Sequence, residues 1–351
     1  MTSANAQNAG ALIDGHGRQV RYLRISVTDR CNLCCRYCRD KEMPFIPHEN
    51  ILRYEEIEEI IAVAAGMGVR KLRFTGGEPF ARKGFLEFLR RVRSRFPYMG
   101  LRLTTNGTLI GDCLEELKEL GAAVNLSLDT LDRQRFAFIT GRDLFDVVFA
   151  NMKRMLDLGI PLKINAVAMR GVNDGELFRL AGWCINNPVD VRFIEFMPMG
   201  DGSIWSKSLF WPAADILAEA GKYWRMEPNM PKNDGEEHLP AGRSEESGPA
   251  SLWKLKDDQG RVSCGSFGLI TSVTHGFCAS CNRLRLTAEG NLRTCLYDDR
   301  EYPVRDALRT EGTEAIRRIM IEAVKKKPVG SELLARRRGP VAHKRMSAIG
   351  G

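Results

Sequence analysis

The feature that most limits the fold is an alternation of strand-like and helix-like stretches through the first two hundred residues. Short β-branched and apolar runs are each followed by an amphipathic stretch, and this unit recurs at roughly 20 to 35 residues. Strands are predicted at 22–27, 71–75, 101–105, 123–128, 162–168 and 191–196, with helices such as 54–67 and 144–158 between them. Such alternation favours parallel strands covered by helices, so six units predict an α/β fold in the form of a partial (β/α) barrel.

Residues that could take part in catalysis or binding follow the predicted strands, where the loops of such barrels build active sites. This group contains Cys31, Gly77, Thr104, Asn106, Ser127 and Met197.

Three cysteines follow the first predicted strand in a C-x3-C-x2-C pattern: Cys31, Cys35 and Cys38. Soft sulfur ligands at this spacing favour an iron–sulfur cluster, zinc or copper(I). Three thiolates leave one iron of a four-iron cubane without a protein ligand, which indicates catalysis at the open position. The alternative is a structural zinc loop that takes a fourth ligand from elsewhere. Cys34, inside the pattern, is predicted to be a small buried residue.

A second set of cysteines has the pattern C-x2-C-x13-C and comprises Cys278, Cys281 and Cys295. The spacing alone is equally compatible with a second cluster and with three ligands of a zinc ribbon. Cys264 and His275 are the candidates for a fourth ligand, and neither is convincing. The four cysteines outside the two sets are predicted to be structural: Cys34, Cys113, Cys184 and Cys264.

The composition changes after the barrel. Residues 1–226 are expected to form the barrel with an N-terminal extension, and residues 227–260, rich in Pro, Gly and charge, are typical of a linker or excursion. Residues 261–351 contain β-branched runs broken at His275-Gly276 and Glu289-Gly290, which favours a small cluster-bearing module with a basic tail. The tail's charges at 325–327 and 336–338 are predicted to be solvated.

Net charge and hydropathy limit the partners. A net charge of +8 and an isoelectric point near 9.0 imply an anionic partner, such as nucleic acid, a membrane surface or a phosphorylated small molecule. The absence of any run of about 18 apolar residues predicts no transmembrane helix. The N-terminal residues lack a signal-peptide pattern, so a cytoplasmic protein is expected, in which paired cysteines indicate metal or cluster ligands.

Basic residues inside predicted strands are the best indication of the substrate's charge. An arginine in a buried strand is costly unless it meets an anion, and guanidinium groups bind phosphate bidentately. The candidates are Arg24, Lys71, Arg73, Lys163 and the pair Arg283 and Arg285 on either side of Leu284. Alternate residues of a strand share a face, so the last two arginines are predicted to face one ligand. Structural ion pairs with Asp or Glu are the alternative.

Two motifs carry a resemblance to a known family. The first cysteine set, with Tyr37 before its last cysteine, resembles the radical S-adenosylmethionine (radical SAM) superfamily. The run Thr75-Gly76-Gly77-Glu78-Pro79 is similar to that superfamily's methionine-binding motif, although a Gly-Gly after a strand is in isolation more often a turn. The second cysteine set and the terminal Gly350-Gly351 resemble the GTP 3′,8-cyclase family of molybdenum cofactor biosynthesis. The match extends from about Gly17 to Gly351.

The resemblance implies a lyase with two [4Fe-4S] clusters, held by the first and second cysteine sets. A 5′-deoxyadenosyl radical from S-adenosylmethionine would abstract hydrogen from C3′ of GTP, and closure onto C8 would yield 3′,8-cyclo-7,8-dihydro-GTP. The implied S-adenosylmethionine contacts are Tyr37, Gly77, Glu78, Ser127 and Met197. The implied GTP contacts are Arg24, Lys71, Arg73, Thr104, Lys163, Arg283, Leu284 and Arg285.

The resemblance also implies a reductant, a homodimer, product transfer to cyclic pyranopterin monophosphate synthase, and a C-terminal Gly-Gly that reaches the active site. Nucleic acid and membrane are not expected partners. The chain departs from the family pattern at Arg39-Asp40 and at Cys34, which puts the local loop path in doubt. Two alternatives are a peptide-modifying radical SAM enzyme with an auxiliary cluster and a nucleic-acid module with two zinc knuckles. The second lacks the interleaved aromatic and basic residues of single-strand binders.

Overall fold

The computed structural model describes residues 10–38, 44–199, 204–229, 249–274, 277–336 and 349. The strands are β1 Tyr22–Ser26, β2 Lys71–Thr75, β3 Gly100–Thr105, β4 Ala123–Ser127, β5 Leu162–Ala168, β6 Asp190–Glu195, β7 Arg225–Pro228, β8 Ser251–Lys256, β9 Ser266–Ile270, β10 Arg283–Leu286, β11 Asn291–Arg293 and β12 Tyr302–Pro303. The helices are α1 Tyr54–Gly66, α2 Phe85–Arg95, α3 Leu114–Glu119, α4 Arg133–Thr140, α5 Phe145–Asp157, α6 Leu177–Asn186, α7 Ala213–Ala220, α8 Val304–Glu311, α9 Thr313–Lys325 and α10 Gly330–Arg336.

All twelve strands join in one sheet, in the order β12-β11-β10-β1-β2-β3-β4-β5-β6-β9-β8-β7. The six predicted strands are β1 to β6, and they pair in parallel in chain order, which confirms the partial barrel. Two further strands lengthen this parallel array, because β10 pairs with β1 and β9 pairs with β6. The pairs at both outer edges are antiparallel.

Alternation of side chains gives the sheet two different faces. Residues such as Leu23, Leu72 and Phe74 are fully buried in the core, on the face that the helices cover. Their neighbours in the sequence, such as Arg24 and Arg73, are on the opposite, inner face. Burial of one apolar face therefore forces a row of polar residues into the interior of the barrel.

Helix α1 shows how the covering layer forms. Ile57, Ile60, Ile61 and Ala64 are spaced on one helical face and are all buried. The carboxylate of Glu56 accepts a hydrogen bond from the backbone N–H of Arg53 at 2.7 Å, which caps the first turn. The predicted helix over 54–67 is thus confirmed to within one residue. No helix in the described ranges is long and apolar enough to cross a membrane.

The polar stretch over 227–260 is more ordered at its ends than the linker that its composition suggested. Strands β7 and β8 pair with each other, and Trp253 packs against Phe267 of β9 with ring centroids 5.9 Å apart. Residues 230–248 lie outside the described residues. The described ends of the stretch therefore extend the edge of the sheet, since apolar side chains alternate along them.

The C-terminal segment shares the barrel's core. Leu284, Leu292, Val304 and Ile316 belong to the same cluster of buried residues as the six predicted strands. Because β10 is hydrogen-bonded to β1, the main chain of the second cysteine region continues the barrel's sheet. The division of the chain at 226 and 261 stays a prediction.

Candidate active site

The first cysteine set lies on the loop that follows β1. Backbone hydrogen bonds hold this loop against the end of α4, from the N–H of Cys34 to the carbonyl of Thr140 (2.9 Å) and from Arg36 to Ile139 (3.0 Å). A turn joins the N–H of Cys38 to the carbonyl of Cys35 at 2.9 Å. The three cysteine side chains are partly exposed, so the loop leaves them accessible to a ligand.

The thiols of this set are close enough to influence one another. Burial raises the pKa of Cys35 well above its usual value, and the neighbouring Cys38, Asp129 and Cys31 raise it further. Cys31 Sγ accepts hydrogen bonds from the Leu33 N–H (3.4 Å) and from Asn106 Nδ2 (3.6 Å). Crowded thiols are readily deprotonated only when a metal compensates the charge, so the set is suited to a cluster.

The two glycines of TGGEP pack against residues 28–30, which lie between the end of β1 and the first cysteine. The N–H of Gly77 donates to the carbonyl of Thr28 at 2.7 Å, and a Cβ on Gly77 would overlap the carbonyl of Arg30. Gly76 has φ +149° and is equally close to Thr28. Missing side chains therefore serve the close approach of these two loops. A contact between Gly77 and S-adenosylmethionine stays a prediction.

Glu78 ties the ends of β2 and β3 together. It is fully buried and accepts hydrogen bonds from Thr105 Oγ1 (2.8 Å), the Asn106 N–H (2.8 Å) and the Phe80 N–H (3.2 Å). Burial raises the pKa of this carboxyl to about 7, against the lowering effect of these hydrogen bonds. A carboxylate has about four acceptor sites, so a contact with the ammonium group of S-adenosylmethionine is compatible with these bonds.

A small cavity opens beside the first cysteine set. It is lined by Leu33, Cys35, Tyr37, Asn106, Ser127, Asp129, Thr130, Phe136, Ile139 and Thr140. The Tyr37 hydroxyl donates to Asp129 Oδ2 at 2.8 Å, and the Val167 N–H donates to Asp129 Oδ1 at 2.8 Å. Burial raises the pKa of Asp129 to about 6. Two predicted S-adenosylmethionine contacts, Tyr37 and Ser127, thus border one cavity.

The second cysteine set is close to the end of the barrel opposite the first. Arg283 pairs with Tyr22, the first residue of β1, so Cys281 lies beside the N-terminal ends of the strands. Each sulfur accepts at least one N–H, among them Cys278 from Ser331 (3.1 Å), Cys295 from Tyr297 (3.4 Å) and Cys281 from the ammonium of Lys327 (3.6 Å). Such bonds to sulfur are common around iron–sulfur clusters.

Gly330 lies directly against the second set. A Cβ there would be 2.8 Å from Cys295 Sγ and 3.3 Å from Cys278 Sγ, so a side chain would displace the thiols. Within the described ranges no three Cys, His, Asp or Glu residues are placed to hold a single metal ion. Ligands of a cubane bind different irons and therefore stand farther apart than ligands of one ion. The donor chemistry of both sets fits the clusters.

One prediction about the basic tail is wrong. Lys325 and Lys326 are exposed as expected, whereas Lys327 is only 2% exposed and its ammonium lies within the second cysteine set. Charge runs are usually solvated, but the chain turns inward after α9 and carries this one lysine with it. Arg336 is exposed, and positions 337 and 338 lie outside the described residues.

The inner face of the barrel is strongly cationic. Residues paired across neighbouring strands point to the same side, and the register of β10 and β1 to β6 places eight cations there: Arg24, Lys71, Arg73, Arg102, Lys163, Arg192, Arg283 and Arg285. Four of them, on adjacent strands, occupy one level of the sheet: Arg285, Arg24, Arg73 and Arg102. Within these seven strands, Asp190 is the acidic residue on this face. So many cations indicate an anionic ligand, since like charges directly opposite are destabilising.

The pKa values show how crowded this face is. Burial, with the neighbouring Arg285, lowers the pKa of Arg24 well below its usual value, and burial with Arg283 lowers that of Arg285 to about 10. Burial and the charge of Arg192 lower the pKa of Lys163 to about 8. Arg192 Nη2 donates to Asp190 Oδ2 at 2.8 Å, while its buried Nε has no hydrogen-bond partner among the described residues. Arg192 is therefore suited to an anion.

Tyr22 stands among these cations. Its hydroxyl accepts a hydrogen bond from Arg73 Nε, and Arg283 and Lys71 lie 5.8 Å from its ring centroid. Burial would raise its pKa, but Arg73, Arg24 and Arg283 outweigh burial and lower it to about 8. Arg73 also donates to Thr104 Oγ1 at 3.1 Å, which brings two predicted GTP contacts together. Leu284, by contrast, points to the opposite face and is fully buried, so a contact with GTP would have to use its main chain.

Met197 lies beside the second cysteine set, which it reaches through Tyr297. The Tyr297 hydroxyl donates to the carbonyl of Ser272 (2.6 Å) and lies 3.5 Å from Met197 Sδ, while its N–H reaches Cys295. Ile349 is fully buried in the same apolar cluster as Tyr297. The residues that follow it, Gly350-Gly351, lie outside the described residues, as do Arg39-Asp40 and His275.

Several residues of this site escaped the sequence analysis. Asp129, Tyr22 and Tyr297 carried no motif, Arg192 lay in a predicted strand but was not among the candidate substrate contacts, and Asn106 was noted only for its position after a strand. Strand register would have identified Arg192, because the pairing of β5 with β6 places it on the same face of the sheet as Lys163. The other cysteines differ in burial: Cys184 is buried with a pKa raised to about 12, Cys34 and Cys113 are intermediate, and Cys264 is exposed. Because Cys264 is exposed, it does not contribute to the packing of the core.

Comparison with known proteins places this site in a family. Residues 25–184 match the radical SAM superfamily and residues 189–333 match the Molybdenum Cofactor Synthesis C family. A GTP 3′,8-cyclase from Pelotomaculum thermopropionicum is 42% identical, over 96% of this chain and 99% of the relative. The chain belongs to the GTP 3′,8-cyclase family. Another member, from Heliobacterium modesticaldum, is 39% identical over 97% of this chain and 100% of its own.

A solved structure agrees on the fold. Streptococcus suis SuiB bound to S-adenosylmethionine is similar with a TM-score of 0.60 at 14% identity, covering 95% of this chain and 78% of that chain. This likeness concerns the fold alone. The two GTP 3′,8-cyclases, in contrast, match 96% and 97% of this chain.

Proposed function

We propose that this chain is a radical SAM GTP 3′,8-cyclase that forms 3′,8-cyclo-7,8-dihydro-GTP, the first step of molybdenum cofactor biosynthesis. The observation that carries the proposal is the cationic inner face, with one cysteine set beyond the C-terminal end of β1 and the other beside the N-terminal end of β10. An anionic substrate bound between two clusters explains this arrangement. The curated relatives named GTP 3′,8-cyclase support it.

The chain's own residues prepare both sites. Cys31, Cys35 and Cys38 would hold the first [4Fe-4S] cluster, and the second set would hold the other. When bound, the first cluster and S-adenosylmethionine supply a 5′-deoxyadenosyl radical that abstracts hydrogen from C3′ of GTP. Tyr37 and Ser127 border the cavity beside the first set and would orient the cosubstrate there, together with Gly77, Glu78 and Met197.

The inner face would hold the nucleotide. Guanidinium and ammonium groups would bind the triphosphate, and its charge would relieve the repulsion between Arg24, Arg73 and Arg285. Lys71, Thr104, Lys163 and Arg283 are placed to join them, and we add Arg192 for its buried Nε. Fixing the phosphates would orient the ribose and keep C3′ and C8 in reach of each other, which is the positioning that such a cyclisation needs.

Partners and location are further parts of the proposal. A reductant must supply electrons to the first cluster, and the product would pass to cyclic pyranopterin monophosphate synthase. All ten cysteines are free thiols, which suits the reducing cytoplasm. A homodimer is proposed from the family resemblance. No observation favours a peptide substrate, since the likeness to SuiB concerns the fold alone.

Anaerobic metal analysis tests the proposal. The reconstituted chain should hold about eight irons and eight sulfides, because each of two three-cysteine sets carries one cubane. With reductant, S-adenosylmethionine and GTP it should form the cyclised nucleotide. Stoichiometric zinc with little iron would overturn the proposal.

A further inference from the structure

The segment from Lys327 to Ser331, here called the covering segment, lies over the second cysteine set. Its first residue donates to Cys281 Sγ, its last donates to Cys278 Sγ, and Gly330 between them touches two of the three sulfurs. The segment follows α9 and leads into α10. Five consecutive residues that the cysteine motif does not include therefore donate hydrogen bonds to two of the three sulfurs and lie against all three.

Lys327 is the charged member of this segment. It is 2% exposed, and its ammonium has three acceptors: the carbonyls of Arg283 (2.9 Å) and Thr294, and Cys281 Sγ at 3.6 Å. These use all three of its N–H donors. Neither carbonyl carries a net charge, so the anion that can compensate this buried cation is a thiolate of the cysteine set.

The N-terminal extension holds this lysine in place. Arg18 is buried and donates to the carbonyls of Lys327 (3.3 Å), Pro328 (3.0 Å) and Cys278 (2.7 Å). Asp14 Oδ2 fixes the guanidinium through its Nε at 2.6 Å. The Arg18 side chain thus joins the main chain of the covering segment to the cysteine loop, while the ammonium of Lys327 is held by its own three acceptors.

We propose that Lys327 is a positioning residue that raises the reduction potential of the second cluster by compensating its negative charge at Cys281. The proposal rests on the proposed function, because it requires a cluster at this set. Reduction adds an electron to a centre that is already anionic, so a fixed ammonium at hydrogen-bond distance from a ligand sulfur favours the reduced form. A neutral residue of similar length would leave the ligands in place and remove this effect.

The test is a redox titration of full-length Lys327→Met, followed by electron paramagnetic resonance. The signal of the second cluster is isolated in a background of Cys31→Ala, Cys35→Ala and Cys38→Ala. Loss of one charged hydrogen bond should change the ratio of reduced to oxidised cluster about tenfold at the original midpoint, a shift of about 59 mV to lower potential for one electron. Lys325→Met and Lys326→Met, which alter exposed neighbours in the same run, should leave the midpoint unchanged.

An assembled second cluster with an unshifted midpoint in Lys327→Met would overturn the proposal. If that variant fails to bind the second four irons, Lys327→Arg decides. Retention of the iron and of the original midpoint by the arginine variant supports a role for charge, whereas equal loss of iron in both shows a role in packing and overturns it. Zinc in place of iron in the unaltered chain would instead overturn the proposed function.

Discussion

Single residues on the inner face of the sheet limit the substrate most strongly. Arg24 stands directly between Arg73 and Arg285 in the register, and such neighbours repel one another. Burying charges of the same sign beside one another costs free energy of folding. Arginines at these positions are costly for stability alone, which indicates that they are retained for an anionic ligand.

Arg285→Ala should weaken GTP binding by about one to two decades. Arg285 is 6% exposed, and each charge-assisted contact in such a setting is worth roughly 1.5 to 3 kcal/mol. GTP should also lose its advantage over guanosine, because the lost contact is to phosphate. Anaerobic calorimetry with both nucleotides measures these changes.

The matched control is Arg133→Ala, which removes an exposed arginine that pairs with Asp143. It should leave both affinities unchanged. If neither Arg283→Ala nor Arg285→Ala altered the affinity for GTP, both arginines would be structural, and the triphosphate would need another site.

GTP affinity should fall as the pH rises through about 8. Both Tyr22 and Lys163 have a pKa of about 8. Above that pH the phenol becomes negative and the ammonium becomes neutral, so the face loses positive charge twice. A bound triphosphate raises both pKa values, so GTP binding near pH 8 should take up protons. Calorimetry in buffers of different ionisation enthalpy measures the uptake.

The double variant Tyr22→Phe, Lys163→Gln isolates this effect. Ionisation of the nucleotide itself is common to both proteins, so the difference between their pH profiles reports on the two side chains. The variant should bind GTP more weakly at pH 7 and should take up fewer protons. An identical pH profile in the two proteins would show that neither group titrates in this range.

Among the secondary-structure elements, local periodicity was sufficient to predict the six parallel strands β1 to β6. Each of the strands β1 to β6 begins and ends within one residue of its predicted bounds, because β-branched and apolar runs end at glycine or polar residues. The strands that periodicity did not identify are edge or added strands. β9 and β10 join the parallel array through partners distant in sequence, and such pairings have no local signal.

The candidate site likewise contains residues that local motifs predicted and residues that they could not predict. Motifs with fixed spacing predicted both cysteine sets and the glycine loop, and the structure brings the members of each together. Residues that act through a distant contact had no such signal. Lys327 looks like its two exposed neighbours in the sequence, and only the turn after α9 buries it. Arg18 lies 260 residues from the carbonyl that it binds.

In the whole molecule, one sheet connects the two cysteine sets. β1 leads at its C-terminal end to the first cysteine set and pairs with β10, which starts two residues after Cys281. The cationic face lies between these ends. The two cysteine sets therefore meet a substrate from opposite sides, and we expect them to have separable roles.

Replacing Cys31, Cys35 or Cys38 by alanine should abolish reductive cleavage of S-adenosylmethionine, because the cavity that would hold the cosubstrate borders the first set. Replacing Cys278, Cys281 or Cys295 should instead spare some uncoupled cleavage and abolish cyclisation. Chromatographic assay of 5′-deoxyadenosine and of the cyclised nucleotide in the same reaction separates these outcomes. Each variant should retain about four irons, which shows that the untouched set still assembles. If both groups of variants lost cleavage equally while keeping those irons, the two sets would act as one unit, and the division of roles along the sheet would be wrong.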